Sequence, residues 1–148
     1  MKQPADYGRS VRVLLVEDNR ADVRLLREAL ADGQIDVHLD VAGDGEEAVR
    51  LMEASIGEPA GRPDLVLLDL NLPRMTGIEV LAAIKVHPGL RRIPVVVLSG
   101  SAADHDVRNA YDLHANAYMR KPRDYPGLKE LVREIERFWL EHALLPLG

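Results

Sequence analysis

The fold of this chain is decided by the run Leu65-Val66-Leu67-Leu68-Asp69, in which four successive apolar residues end at a carboxylate. A continuous apolar run of this length is typical of a strand in a parallel sheet that is covered on both faces. Three similar runs also end at polar residues: Val13–Val16 before Glu17 and Asp18, Val95–Leu98 before Ser99, and Ala117–Arg120 before Lys121. The repetition predicts several strands of one parallel sheet.

Strand and helix patterns alternate five times along the chain, which predicts an α/β domain. Residues 37–41 alternate apolar and polar side chains, as expected of an edge strand with one wetter face. Pairs of residues three positions apart predict the starts of the second, third and fourth helices: Asp44 with Glu47, Thr76 with Glu79, and Ser101 with Asp104. With the second strand at an edge, we expect a flavodoxin-like (βα)5 fold with strand order 2-1-3-4-5 and helices on both faces.

The size and composition of the chain suit one compact cytoplasmic domain. Its 148 residues are enough for one core, and we expect a polar segment at 1–10, a domain at 11–140 and a C-terminal tail at 141–148. The net charge of -5 argues against a broad nucleic-acid or membrane surface. The lack of cysteine excludes disulfides and thiolate metal sites. No apolar stretch approaches the roughly 20 residues that span a membrane.

The polar residues that end the strands predict one site. Ligands bind at the carboxyl ends of the strands in sheets of this order, where the first and third strands are neighbours. We therefore expect Glu17, Asp18 and Asp69 to converge, with Ser99 and Lys121 beside them. Three packed carboxylates repel each other, and oxygen ligands without His or Cys favour Mg²⁺. An Asp beside such an ion can attack phosphorus and form an aspartyl phosphate.

At these residues the chain resembles the receiver domain of two-component response regulators, from residue 11 to about residue 140. The matching motifs are Val-Glu-Asp at 16–18, Leu-Leu-Asp-Leu-Asn-Leu-Pro at 67–73, Leu-Ser at 98–99 and Lys-Pro at 121–122. The resemblance implies a receiver fold and a stand-alone response regulator that accepts a phosphoryl group on Asp69 from a histidine kinase. With no output domain following, we expect it to act through protein contacts or onward phosphate transfer.

The resemblance also implies a role for each site residue. Asp18 and Asp69 would bind Mg²⁺ directly, Glu17 would bind it through water, and the backbone carbonyl of Asn71 would complete the protein ligands. Lys121 would pair with the phosphoryl group, and its peptide bond to Pro122 is usually cis in this family.

Two further residues take the positions of a conformational switch in the family. Ser99 would supply the switch hydroxyl and Tyr118 the switch aromatic ring. The alternative for Tyr118 is a half-buried strand tyrosine with its hydroxyl in water. The two alternatives are compatible in different states of the protein.

A narrower resemblance concerns the partner. Residues 111–118 and 138–146 are similar to small receivers that serve bacterial and cyanobacterial phytochromes, which implies a phytochrome-type histidine kinase and a homodimer built by the final helix and tail. Adjacent helical residues cannot share one face. We expect Phe138 in the core and the dimer contacts at Trp139, Leu140, Leu144 and Leu145. The alternative is a C-terminal helix that folds back on its own domain.

Two other functions are alternatives to a phosphorylated receiver. One is a docking module that works without phosphorylation. The other is a phosphatase with an aspartyl-phosphate intermediate, but such enzymes usually carry a second Asp two residues after the nucleophile. Asn71 stands there, and an amide cannot serve as the general acid.

Overall fold

The structure, a computed structural model, describes residues 10–146, with Pro59 described in its backbone alone. Five parallel strands form one sheet in the order β2-β1-β3-β4-β5, which confirms the predicted flavodoxin-like arrangement. The strands are β1 (Val11–Val16), β2 (Val37–Ala42), β3 (Leu65–Leu68), β4 (Val95–Ser99) and β5 (Ala117–Arg120). All but the last residue of the segment predicted at 1–10, and the last two residues of the tail, lie outside the described residues.

Five α-helices cover the two faces of the sheet: α1 (Arg20–Ala31), α2 (Gly45–Ala54), α3 (Gly77–Val86), α4 (Asp104–Asp112) and α5 (Tyr125–Ile135). One core cluster joins the sheet to α1 and α5, and a second joins it to α2, α3 and α4. No helix in residues 10–146 is long and apolar enough to cross a membrane.

The continuous apolar runs form the centre of the sheet because both of their faces are covered. Every residue of β3 and β4 is buried. Successive side chains of a strand point to opposite faces, so Leu14 lies in the cluster of α2 to α4 while Leu15 lies in that of α1 and α5. At the edge, β2 is mostly half-buried, in line with its alternating sequence.

The start of α4 differs from the prediction. The helix begins at Asp104 with Ala103 as its N-cap, so the cap predicted at Ser101 is wrong by two residues. The hydroxyl of Ser101 accepts a hydrogen bond from the backbone N–H of Ala103 at 3.2 Å and donates one to Asp106 at 2.6 Å. Ser101 thus organises the loop before the helix. The caps predicted for α2 and α3 are present at Asp44 and Thr76.

The C-terminal helix corrects the prediction for Phe138. After α5 the chain continues as a π-helical segment, Glu136–His142. A π-helix bonds residue i to residue i+5, so Leu140 instead of Phe138 continues the buried stripe that passes through Ile135. Leu140 is 1% exposed and Phe138 is 59% exposed. The prediction that Phe138 fills the core is therefore wrong.

Two of the four residues predicted as dimer contacts are buried within their own chain. Leu140 and Leu145 are buried in the cluster of α1 and α5, and Trp139 is half-buried against it. Arg62 donates a hydrogen bond to the backbone carbonyl of Pro146 at 3.0 Å, which holds the tail against the domain. Leu140 and Leu145 are therefore packed in the core of their own chain, and of the four predicted contact residues Leu144 is the one that is exposed.

Candidate functional site

Three carboxylates meet at the carboxyl ends of β1 and β3. Val16 pairs with Leu68 in the parallel ladder, so the next residues, Glu17 and Asp69, lie side by side. Carboxylate oxygens of Glu17, Asp18 and Asp69 lie within 4.8 Å of one another. Glu17 and Asp69 are buried and Asp18 is exposed, so the cluster opens to solvent on one side.

The carboxylate of Asp69 is fixed by the loop that follows it. The backbone N–H of Asn71 donates to Asp69 Oδ1 at 3.1 Å. Behind this loop, the first turn of α3 approaches so closely that a Cβ atom at Gly77 would collide with the backbone of Asp69 and Leu70. Glycine at position 77 therefore permits α3 to pack directly behind the acidic cluster.

Lys121 reaches the cluster from the end of β5. Its Nζ lies 2.7 Å from Glu17 Oε1, 3.0 Å from Asp22 Oδ2 and 3.5 Å from Asp69 Oδ2. Burial by itself would lower the pKa of Lys121, but the hydrogen bonds to Glu17 and Asp22 and the negative charges of Asp69 and Glu17 raise it above its usual range. Lys121 is therefore a fixed positive charge within the site.

Burial and the crowding of negative charges in the site raise the pKa of Glu17. Burial raises its pKa from 4.5 to about 7, and the hydrogen bond and negative charge of Asp69 act in the same direction, against the opposing effect of Lys121. One ammonium therefore leaves the anionic cluster incompletely neutralised. A bound cation would stabilise the ionised form of Glu17.

Asp22 is the site residue that the sequence prediction missed. It lies in the first turn of α1, where its backbone N–H donates to the side chain of Asn19, the N-cap, at 3.1 Å. The first turn of α1 stands at the same sheet edge as the end of β1, so the spacing after the acidic pair was the available signal. Its carboxylate accepts a hydrogen bond from Lys121.

Ser99 and Tyr118 are connected through one residue of the loop between β4 and α4. The hydroxyl of Ser99, which is buried, accepts a hydrogen bond from the backbone N–H of Ser101 at 3.2 Å. The hydroxyl of Tyr118 donates to the backbone carbonyl of Ser101 at 2.9 Å. The Tyr118 ring is half-buried against the core cluster of α2 to α4, so its hydroxyl is not simply solvated.

Tyr118 is also held from the edge of the sheet. Its backbone N–H donates to the phenol oxygen of Tyr111, on α4, at 3.2 Å.

A cis bond between Lys121 and Pro122 is not observed, because every peptide bond of the described chain is trans.

The donor set of the acidic cluster fits a hard divalent cation. It offers carboxylate oxygens and no nitrogen or sulfur ligand, and one carboxylate is open to solvent. Mg²⁺ prefers oxygen ligands and keeps several of its waters. Within residues 10–146, no second group of three or more potential ligands approaches as closely.

The sequence of this chain is similar to the sequences of response regulators over most of its length. The family model described as the response regulator receiver domain matches residues 13–133. Response regulator Rcp1 from Synechocystis is 48% identical over 135 residues, which span 90% of this chain and 92% of that protein.

Two solved structures are similar over nearly their whole length. The phosphorylated cyanobacterial phytochrome response regulator RcpA has 48% identity and a TM-score of 0.86, covering 93% of this chain and 99% of that one. The Mn²⁺-bound form of Rcp1 has 46% identity and a TM-score of 0.84, covering 92% of this chain and 99% of that one.

Proposed function

The chain belongs to the family of response regulator receiver domains, and on this premise we propose that Asp69 accepts a phosphoryl group from the phosphohistidine of a histidine kinase. One observation carries the proposal: the Lys121 ammonium lies among Glu17, Asp22 and Asp69 at the end of the sheet. An acceptor carboxylate, a fixed cation and an acidic cluster are the groups that phosphoryl transfer needs.

The transfer forms one bond and breaks one. An Oδ atom of Asp69 attacks phosphorus in line with the leaving nitrogen, a P–O bond forms, and the P–N bond breaks with its electron pair remaining on the imidazole. The Lys121 ammonium stabilises the negative charge of the transferring oxygens. The backbone N–H of Asn71 keeps the acceptor carboxylate in one orientation through Oδ1.

The acidic cluster would hold Mg²⁺ directly through Asp18 and Asp69 and through water by Glu17, with the backbone carbonyl of Asn71 as a further ligand. Mg²⁺ bound there supplies positive charge to the transferring phosphoryl group. The oxygen donor set and the raised pKa of Glu17 in the metal-free site both support this assignment.

The signal leaves the site through Ser99 and Tyr118. A phosphoryl group on Asp69 attracts the Ser99 hydroxyl. In the unphosphorylated protein this hydroxyl accepts a hydrogen bond from the backbone N–H of Ser101. Movement of Ser99 therefore changes the position of Ser101, and with it the hydrogen bond from Tyr118. Phosphorylation would act as a population shift between two arrangements of this loop and of the face formed by α4, β5 and α5.

We propose a phytochrome-type histidine kinase as the phosphoryl donor, because RcpA is described as a phytochrome response regulator and is similar over 93% of this chain. We also propose a homodimer through the C-terminal helix. Phe138 and Leu144 supply its apolar surface, since Leu140 and Leu145 are committed to the core of their own chain.

Labelling by acetyl phosphate tests the acceptor. With Mg²⁺ present, the intact mass of the wild-type protein should rise by one phosphoryl group as acetate is released, and a chelator should prevent this. Asp69→Asn should abolish the increase, whereas Asp112→Asn, which alters an exposed residue at the end of α4, should label normally. Full labelling of Asp69→Asn would refute the assignment.

The docking alternative is tested with the same samples. Partner binding and self-association that do not change on phosphorylation would favour a docking module over a phosphorylation switch.

A further inference from the structure

The Lys121 ammonium is bound more closely by Glu17 and Asp22 than by the acceptor, Asp69. An ammonium group has three protons, and the contacts to Glu17 at 2.7 Å and Asp22 at 3.0 Å are hydrogen bonds. Asp69 Oδ2 lies 3.5 Å away, which is longer than the about 2.7–2.9 Å of a strong charge-assisted hydrogen bond. The resting position of the ammonium therefore favours Glu17 and Asp22 over Asp69.

Of these two carboxylates, Asp22 is the one that does not belong to the candidate metal site. Glu17 belongs to the three-carboxylate cluster that fits a cation, and Asp22 lies outside that cluster. The position of Asp22 is fixed independently, because its backbone N–H is capped by Asn19 in the first turn of α1. Its side chain is 29% exposed and that of Lys121 is 12% exposed, so solvent screens the contact only in part.

We propose that Asp22 is a positioning residue that holds the Lys121 ammonium in the unphosphorylated protein and competes with the phosphoryl group for it. The inference rests on the proposed acceptor role of Asp69. When the phosphoryl group arrives, Lys121 exchanges a carboxylate of α1 for phosphoryl oxygens. Asp22 thereby sets how far the phosphorylated state is favoured.

Beryllofluoride with saturating Mg²⁺, which imitates the phosphoryl group, is the probe for this competition. Asp22→Asn keeps the shape of the side chain and removes its charge. It should raise the affinity for beryllofluoride, measured by titration calorimetry, by about three- to tenfold, the range expected for one partly exposed charged hydrogen bond.

Two matched variants separate competition from a general effect of charge. Glu28→Gln removes one negative charge from an exposed position of α1, and its affinity should equal that of the wild type. Asp22→Glu restores the carboxylate and should bring the affinity back toward the wild-type value. Unchanged or weakened binding in Asp22→Asn would overturn the proposal, as would an equal gain in Glu28→Gln.

A double-mutant cycle tests the contact without any phosphoryl chemistry. Asp22→Asn, Lys121→Met and the double variant are compared by urea unfolding of the metal-free protein, and the coupling should change the unfolding constant by about two- to fivefold. Absence of coupling would overturn the inference about Asp22. Absence of labelling in the wild type, with coupling intact, would instead contradict the proposed acceptor function.

Discussion

A change of pH tests the charge balance of the acidic cluster. The pKa of Glu17 is raised from 4.5 to about 7 in the metal-free protein, chiefly by burial. Metal binding requires the ionised carboxylate, so Mg²⁺ must displace a proton at acidic pH. The ionised fraction of Glu17 rises about tenfold between about pH 6 and pH 8 if its pKa is about 7, and the affinity for Mg²⁺ should rise by the same factor.

Titration calorimetry in two buffers of different ionisation enthalpy measures both the affinity and the protons released. We expect about one proton per Mg²⁺ near pH 6 and almost none near pH 8. Glu17→Gln should remove the pH dependence, whereas Glu28→Gln, an exposed residue on α1, should retain it. Equal affinity at both pH values, or a pH dependence that survives in Glu17→Gln, would refute the reasoning.

The same shift predicts the stability of the metal-free protein. Because the pKa of Glu17 is higher in the folded state than its value of 4.5 in the unfolded chain, the folded state binds more protons between these two values. The stabilisation is complete below pH 4.5 and is lost as the pH rises through about 7. A shift from 4.5 to about 7 corresponds to about 3 kcal/mol in the free energy of unfolding. Urea unfolding across this range, with Glu17→Gln as the control, measures it.

Four substitutions test other parts of the structure. Leu140→Ala should lower the free energy of unfolding by about 2–4 kcal/mol because it leaves a cavity. In the monomer, Phe138→Ala should lower it by clearly less, because the Phe138 ring is largely exposed; equal costs in urea unfolding of the monomer would contradict the π-helical register. Gly77→Ala should lower the free energy of unfolding by about 1–3 kcal/mol because the new Cβ meets backbone atoms of Asp69 and Leu70. A neutral result by the same measurement would contradict the close approach of α3 to these residues. Tyr118→Phe should retain labelling by acetyl phosphate but lose the hydrogen bond to the backbone carbonyl of Ser101; an unchanged carbonyl carbon signal of Ser101 in the NMR spectrum would contradict that link.

The central part of the site follows from the sequence because it depends on the sheet alone. Runs such as Leu65–Leu68 are apolar on both faces, which makes them central strands, and parallel strands end at a common edge. Glu17 and Asp69 are therefore neighbours as soon as the strand order is known. Lys121 follows by the same reasoning from the end of β5.

Other features depend on information that periodicity does not contain. The spacing after the acidic pair places Asp22 near the sheet edge, but its contact with Lys121 requires the position of α1 relative to β5, which packing determines. Leu140 takes the core position predicted for Phe138 because the hydrogen bonding of the final helix changes from i→i+4 to i→i+5. A pattern analysis at a fixed helical period cannot anticipate that change. At α4, a side chain at Ser101 that bonds two residues ahead resembles a helix cap in sequence, although the helix begins later.

The phenol of Tyr111 has a consequence for how the sheet meets other chains. An outermost strand ordinarily leaves backbone donors available to a strand from another molecule, which invites edge-to-edge aggregation. On β5, the donor of Tyr118 is already taken by Tyr111. An incoming strand would have to displace an aromatic side chain of α4 before it could form that hydrogen bond, so intermolecular β-pairing is hindered at this residue of β5.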